Sequence, residues 1–336
     1  MKRRHRKKGR KLCGIAIALA VVAAVVLLYQ AGRWLETRNA KPQPRADYQQ
    51  SASYGQIIEV DGVSYQKRNG VTSILIMGVD RREDAVASGY RNGGQADFLR
   101  LIVINSVEKT VSQLQIDRDT MTPITILGVL GNQSGTRTSQ ICLSHGFGDG
   151  REQSCELTRD AVSNLLLSTD IDFYVAMNLD GISVLNDWVG GVTVTLEDDF
   201  SALDPTMTAG KTMTLVGDQA EYYVRNRLNI GVGTNEARMK RQQVYISELT
   251  ELLTEKLEGS ESEIGALYDV LEPYLITDMS RGRMINEIWA AKDYTRNELI
   301  IPQGTYQTGS DGFMQFIVDE QTLEQVVLNL FYTEVK

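Results

Sequence analysis

The chain is 336 residues long, 42% of them apolar, with a formal net charge of −8. That leaves room for one large domain or two modest ones around a real core, which excludes an intrinsically unfolded chain. Eight Lys/Arg fall within residues 2–11, and setting them aside leaves −16 on the rest, so a freely diffusing nucleic-acid binder, which needs a basic surface field, is excluded as well.

The basic run ends at Lys11. From Leu12 to Leu28 there is no charge and no proline, and Tyr29 and Ala31 extend the apolar stretch before Arg33 and Trp34. About 20 such residues cross the hydrocarbon core of a bilayer. The positive-inside rule keeps residues 1–11 cytoplasmic and sends the remainder outward. A cleavable signal peptide is the competing reading, but Leu27, Leu28, Tyr29 and Gln30 offer no small-x-small site, which favours an uncleaved anchor over 12–32. Residues 33–68 are polar, with Lys41-Pro42-Gln43-Pro44, and read as a juxtamembrane spacer with a short helix or hairpin near Ile57 to Tyr65. Residues 69–336 then form the extracellular domain of a single-pass cell-membrane protein.

The strand signals begin at Thr72 to Val79 and continue at Phe98 to Ile104 and Val111 to Ile116. The third alternates apolar and polar residues and so belongs nearer an edge, and the short connection Asn105 to Lys109 predicts an antiparallel pair. A glycine-rich stretch from Thr120 to Ser154 reads as one long loop, of the kind that is functional or mobile. After it come a helix (156–167), a strand (172–177), a helix (179–189) and, past Gly190-Gly191, a strand (192–196). Helices follow at 218–227 and 236–257. In the second, Met239, Gln243, Ile246, Leu249, Leu253 and Leu257 form one core-packing stripe. Helices at 261–272, 281–292 and 320–331 and strands at 298–301 and 313–318 complete a layered α/β domain, with residues 259–336 finishing its sheet.

Outside the anchor the cysteines are Cys142 and Cys155, which in an oxidising compartment are either a disulfide or two free thiols. The histidines are His5 and His145, too few for a histidine triad or metal site, and His145 reads as a polar loop residue.

Acidic residues stand at strand ends. Asp80 directly follows the first strand and Asp97 directly precedes the second, so an antiparallel pairing puts both at one sheet edge. They are either turn and cap residues or a carboxylate pair suited to Mg²⁺, whose remaining ligands would be waters and substrate phosphates. The third strand ends in Asp117-Arg118-Asp119. Four more arginines lie in Tyr223-Val224-Arg225-Asn226-Arg227 and Arg238-Met239-Lys240-Arg241-Gln242. Guanidinium is a permanently charged planar fork that fits phosphate bidentately, so such a cluster on an acidic chain points to a polyanionic ligand.

Taken in order, Ile74-Leu75-Ile76-Met77-Gly78-Val79-Asp80, Ala96-Asp97, Ile116-Asp117-Arg118-Asp119-Thr120, Gly190-Gly191-Val192 and the two arginine segments resemble the motifs of the LytR-CpsA-Psr family over about residues 70–258. That resemblance implies a three-layer α/β/α sandwich with a central mixed sheet, preceded by one N-terminal transmembrane helix. It implies an Mg²⁺-dependent phosphotransferase that moves a glycopolymer, such as teichoic acid or capsular polysaccharide, from a polyprenyl-pyrophosphate carrier to peptidoglycan. By the same resemblance Asp80 and Asp97 hold the metal, and Arg82, Arg118, Arg225, Arg227, Arg238, Arg241 and Gln242 bind the pyrophosphate. Arg118 and Asp119 are the catalytic pair, Asp119 as proton acceptor or, preferably, as the group that orients Arg118. Five positions depart from the family pattern: Gln95-Ala96-Asp97 stands for Arg-Ser-Asp, Asp117 for a proline, Asn235 for an aspartate and Gln140 for a lysine. A noncatalytic module that grips pyrophosphate lipids or cell-wall anions, and a pyrophosphatase using water as acceptor, are the alternatives.

Overall fold

The computed structural model describes residues 57–82, 93–128, 131–226, 230–233 and 235–335. The expected basic tail, the anchor and most of the spacer lie outside the described residues, as does Arg227. Among the described residues no helix is long and apolar enough to cross a membrane.

The first hairpin is β1 (Ile57–Val60) and β2 (Val63–Lys67), followed by β3 (Val71–Val79), β4 (Ala96–Asn105), β5 (Thr110–Ile116) and a second hairpin, β6 (Met121–Leu127) with β7 (Gln133–Gln140). The short α1 (Leu143–Gly146) leads to α2 (Glu152–Leu165), β8 (Phe173–Met177) and α3 (Asp180–Trp188). Then come β9 (Thr193–Thr195), β10 (Thr212–Thr214), α4 (Asp218–Arg225), α5 (Asn235–Glu258) and α6 (Glu261–Leu271). The C-terminal part holds β11 (Leu275–Thr277), α7 (Arg281–Ala291), β12 (Thr295–Ile300), β13 (Gly304–Thr308), β14 (Met314–Val318), α8 (Glu320–Phe331) and β15 (Tyr332–Glu334). Capping side chains fix where two of these helices start: Ser280 accepts from Arg283 N before α7, and Asp319 from Thr322 N before α8.

A six-stranded mixed sheet, ordered β11-β8-β3-β4-β5-β12, organises the domain. β3 and β4 are antiparallel, as are β4 and β5, while β8 joins β3 and β12 joins β5 in parallel. Residues 259–336 therefore do complete the sheet, supplying both of its edges, and β5 lies one strand from an edge. Alternation along β3 sends Leu75 and Met77 to one face, where they pack with Ala161 and Val162 of α2 and Val327 of α8. Ile74 and Ile76 go to the other face, against Met284 of α7. A satellite cluster around Val194, Phe200, Tyr223 and Tyr245 joins β9, β10, α4 and α5. Leu249 is buried there, with Leu252 and Leu253 packed against it, so these leucines fill core.

Several expectations need correction. The stretch 120–154 is not one open loop: β6 and β7 pair antiparallel from Met121↔Gln140 to Leu127↔Gln133. Pro123 is tolerated because this is a two-stranded sheet, where a strand has one unpaired side. The folded domain also reaches back to Ile57, because β2 pairs with both β1 and the C-terminal β15. Cys142 and Cys155 are free and buried, the first facing Arg118 and the second His145 Nε2 at 3.9 Å, so no disulfide links them.

His145 is not a loop residue but a fully buried member of α1, with Nδ1 3.3 Å from the Gly94 carbonyl. Burial lowers its pKa from 6.5 to about 4. The unfolded chain therefore takes up this proton first as the pH falls. Stability tied to His145 is intact above pH 6.5 and is lost as the pH falls from 6.5 toward 4. The loss is about 3 kcal/mol over that window, at about 1.4 kcal/mol per pKa unit. Urea unfolding of a His145→Gln variant should show a flatter dependence between pH 7 and pH 4.5 than the parent; identical slopes would contradict the assignment.

Candidate functional site

The pairing of β3 with β4 brings Asp80 and Asp97 to one edge of the sheet, as the strand-end reading required. Register ends at Val79↔Ala96 with a bulge. The peptide N–H groups of Asp80 and Asp97 both donate to the Gln95 carbonyl, at 2.8 and 3.1 Å. Gly94 makes this turn possible: its φ is +74°, and a Cβ there would sit 2.9 Å from the Asp80 carbonyl oxygen.

Two networks of alternating charge spread from this edge. In the first, Arg118 donates to the Asp97 carboxylate, to Gln95 Oε1 at 2.6 Å and to Asp119 Oδ1 at 3.3 Å, while Arg238 Nη1 lies 3.7 Å from Asp97 Oδ2. Arg238 is almost fully buried on α5. Burial works against the charge on Arg118, but the Cys142 thiolate, at the high pH where that thiol ionises, and the Asp97 and Asp119 carboxylates outweigh it and raise the guanidinium's pKa. Burial raises the pKa of Asp119, with help from the like charge of Asp117 and against the pull of Arg118. Burial also pushes the neighbouring Cys142 thiol up to about 12, so it stands there as an uncharged thiol at neutral pH.

The second network runs Asp180, Arg82, Glu221, Arg225, Asp80. Arg82 Nη1 donates to Asp180 at 2.6 Å, and Nη2 reaches both oxygens of Glu221 at 2.8 and 2.9 Å. Arg225 contacts Glu221 at 3.4 Å and Asp80 at 2.6 Å. The hydrogen bonds from Asp180 and then Glu221 raise the pKa of Arg82. Glu221 had no sequence signal beyond its place on an amphipathic helix, yet it is the buried carboxylate that ties Arg82 to Arg225.

Two expected pyrophosphate ligands have other work. Arg241 is buried, and its three guanidinium nitrogens reach Tyr223 O at 3.1 Å, Asp198 at 2.9 Å and the Asn226 carbonyl. Gln242 donates to Val224 O at 3.1 Å. Both cap the last carbonyls of α4, the favourable place for a cation, and so fix the segment that carries Arg225. Gly231 takes part: at φ +51° it lies against Asp198, where a Cβ would come within 2.0 Å of Oδ1.

Three of the departures from the family pattern have partners here, while the side chain of Asn235 lies outside the described residues. Gln95 supplies Arg118 with a neutral acceptor. Gln140 Nε2 donates to Asp119 Oδ1 at 3.0 Å, a donor where the family carries lysine. Asp117 caps Asp119 N at 2.8 Å and accepts from Tyr306 OH. Beside Arg118 and Arg238, a cleft under α5 lined by Phe98, Arg100, Gln115 and Ile246 encloses only about 20 Å³, room for roughly one water.

Fold and site together define an α/β protein with arginines and aspartates gathered at one edge of a mixed sheet. The LytR_cpsA_psr family model matches residues 35–331, and the chain belongs to that family. It is 31% identical over 207 residues to a polyisoprenyl-teichoic acid–peptidoglycan teichoic acid transferase TagU of Halalkalibacterium halodurans, spanning 62% of this chain and 60% of that relative. The TagU of Bacillus subtilis is 26% identical over 266 residues, covering 77% of this chain and 76% of the relative. Among solved structures, protein gbs0355 of Streptococcus agalactiae superposes with a TM-score of 0.60 at 24% identity, covering 77% of this chain and 86% of that one. A TagT structure bound to LI-WTA gives 0.57 at 21% identity, covering 86% and 97%. These likenesses establish the fold.

Proposed function

We propose that this chain is a membrane-anchored extracellular phosphotransferase that moves a glycopolymer from a polyprenyl-pyrophosphate carrier to peptidoglycan. The observation that carries this reading is the gathering of Arg118, Arg225 and Arg238 around Asp80 and Asp97, with Arg82 joined to Arg225 through Glu221, in a member of a family that includes teichoic acid transferases. Phosphoryl transfer asks little covalent chemistry of a protein. It asks for positioning and for charge neutralisation on the phosphoryl oxygens and the leaving group.

Each of these arginines faces a carboxylate, so an incoming pyrophosphate must take guanidinium groups from Asp80 and Asp97. The two freed carboxylates are hard oxygen donors on adjacent backbone, a fit to Mg²⁺ that leaves its other positions to water and phosphate. When bound, the ion supplies charge neutralisation at the phosphoryl oxygens. Arg118, aimed by Asp119 and Gln95, and Arg238 steady the transferring phosphoryl group. A peptidoglycan hydroxyl attacks the phosphorus that bears the glycopolymer, the bridging P–O bond of the pyrophosphate breaks, and polyprenyl phosphate leaves, its freed oxygen taking up the charge while the hydroxyl's proton passes to it or to solvent.

The test is to incubate the full-length chain in detergent with a polyprenyl-pyrophosphate-linked saccharide, with and without peptidoglycan and EDTA. Release of polyprenyl phosphate should require both peptidoglycan and Mg²⁺. Release without acceptor would make the protein a pyrophosphatase, and tight binding without release a noncatalytic module. The second of these draws support from the closed ion pairs on both aspartates.

A further inference from the structure

β4 buries a charge within an apolar strand: from Phe98 to Ile104 the one charged residue is Arg100. Its neighbours Leu99 and Leu101 point into the main core, so alternation turns Arg100 with Phe98 to the opposite face, toward α5. Only 8% of Arg100 is exposed. Its guanidinium donates to amide oxygens alone: Nε and Nη2 to Gln115 Oε1 at 3.1 and 2.8 Å, and Nη1 to Gln113 Oε1 at 3.1 Å. Its Cζ stands 5.3 Å over the centre of the Phe98 ring. Among the described residues no carboxylate pairs with it, and one N–H on each Nη has no acceptor. Arg82, Arg118, Arg225, Arg238 and Arg241, by contrast, each face a carboxylate. A buried cation with neutral partners is costly, because amide dipoles replace only part of its hydration. Burial accordingly lowers the pKa of Arg100, and an anion beside it would relieve that cost.

The place for that anion is the cleft under α5, which Arg100 lines together with Arg118 and Arg238. Arg100 lies three residues into β4 from Asp97, about 10 Å inward from the sheet edge at about 3.3 Å per residue. The cleft's 20 Å³ admits about one water, and so one phosphate oxygen, which is of similar size. Phe98, Met239 and Ile246, each half-buried, give the same cleft an apolar side. A phosphate that carries an apolar chain gains from such a lining, and a bare ion does not. We infer that Arg100 is a ligand of the phosphate that departs with the polyprenyl chain, reached by one of its oxygens through the cleft while the transferring phosphoryl group stays with Arg118 and Arg238. There it neutralises the charge that gathers on the leaving phosphate as the bridging P–O bond breaks. The inference rests on the transferase reading and gives that site a residue for its leaving group.

The test uses the full-length chain in detergent and measures binding of three probes separately: farnesyl phosphate, farnesol and inorganic phosphate. Arg100→Met keeps the length of the side chain and removes its charge, and it should weaken farnesyl phosphate binding about tenfold or more. Farnesol binding should not change, and inorganic phosphate should weaken by less than about threefold, because the other arginines still hold a bare ion. Arg100→Lys should fall between the parent and Arg100→Met, since it keeps the charge but not the fork. Equal farnesyl phosphate affinity in parent and Arg100→Met, or no saturable binding of it by the parent, overturns the inference. So does an equal loss for farnesol, which would make Arg100 a part of the wall, or for inorganic phosphate, which would make it a general anion ligand. If Arg100→Met does not fold, Arg100→Lys decides: weaker farnesyl phosphate binding with farnesol unchanged is the expected result, and parental affinity overturns it. Failure of the transferase reading would show in the release assay alone, since all three probes are read without turnover.

Discussion

Replacing Asp97 by alanine should abolish Mg²⁺-dependent release of polyprenyl phosphate, with a fall in turnover of about 10²–10³-fold or more, the usual effect of removing one preorganised electrostatic element. Asp97 is where the two halves of the proposed chemistry meet: it is one of two carboxylates at the sheet edge and the partner of both Arg118 and Arg238. Alanine leaves two largely buried guanidinium groups without that counter-charge, and breaking a buried pair from one side costs about 3–5 kcal/mol. Part of the loss in Asp97→Ala would then be unfolding. Asp97→Asn loses the charge but keeps the shape and one acceptor, so it should lose less stability than Asp97→Ala while still failing to turn over. Normal release by a folded Asp97→Asn would remove the carboxylate from the mechanism and leave the binding-module reading in its place.

The sheet core was legible because its strands carry their own signal. The β-branched and aliphatic run of β3 marks a buried strand and the short polar link between β4 and β5 predicts their antiparallel pairing, whereas the β3–β4 pairing that brings Asp80 toward Asp97 was a condition the structure had to meet. The β6–β7 hairpin was hidden for the opposite reason. Gln133 to Gln140 is a strand of Gln, Ser, Gly, Thr and Arg with no apolar period, held by its partner and not by burial of its own face. The β1–β2–β15 sheet was hidden by distance along the chain, since nothing in Ile57 to Lys67 names Tyr332 as its neighbour. At the site, sequence gave residue types but not their partners. Arg241 looks like any other arginine of the cluster until the carbonyls of Tyr223 and Asn226 are seen to consume it. Cys142 and Cys155 are close in sequence, yet one lies beside Arg118 and the other beside His145.

Glu221 is the clearest residue that sequence could not nominate, and Glu221→Gln should lower the transfer rate about 10- to 100-fold, or about 1.4–2.7 kcal/mol of transition-state stabilisation. Its two oxygens receive one Arg82 nitrogen, and its Oε1 also faces Arg225. Glutamine keeps the size but offers one acceptor and turns an NH₂ toward a guanidinium. Two effects then oppose each other. Loss of a negative charge beside two arginines strengthens attraction for any anion, whereas loss of the tie lets Arg82 and Arg225, each nearly half-exposed, leave the geometry the reaction needs. The charge effect acts on ground-state binding and the positional effect on the transition state, so they separate in measurement. Asp180 and Asp80 still hold one end of each arginine. Inorganic pyrophosphate should therefore bind the variant at least as tightly as the parent while release of polyprenyl phosphate slows. Parallel weakening of both would mean that Glu221 builds the binding site itself, and an unchanged rate would show that Arg82 and Arg225 need no common anchor.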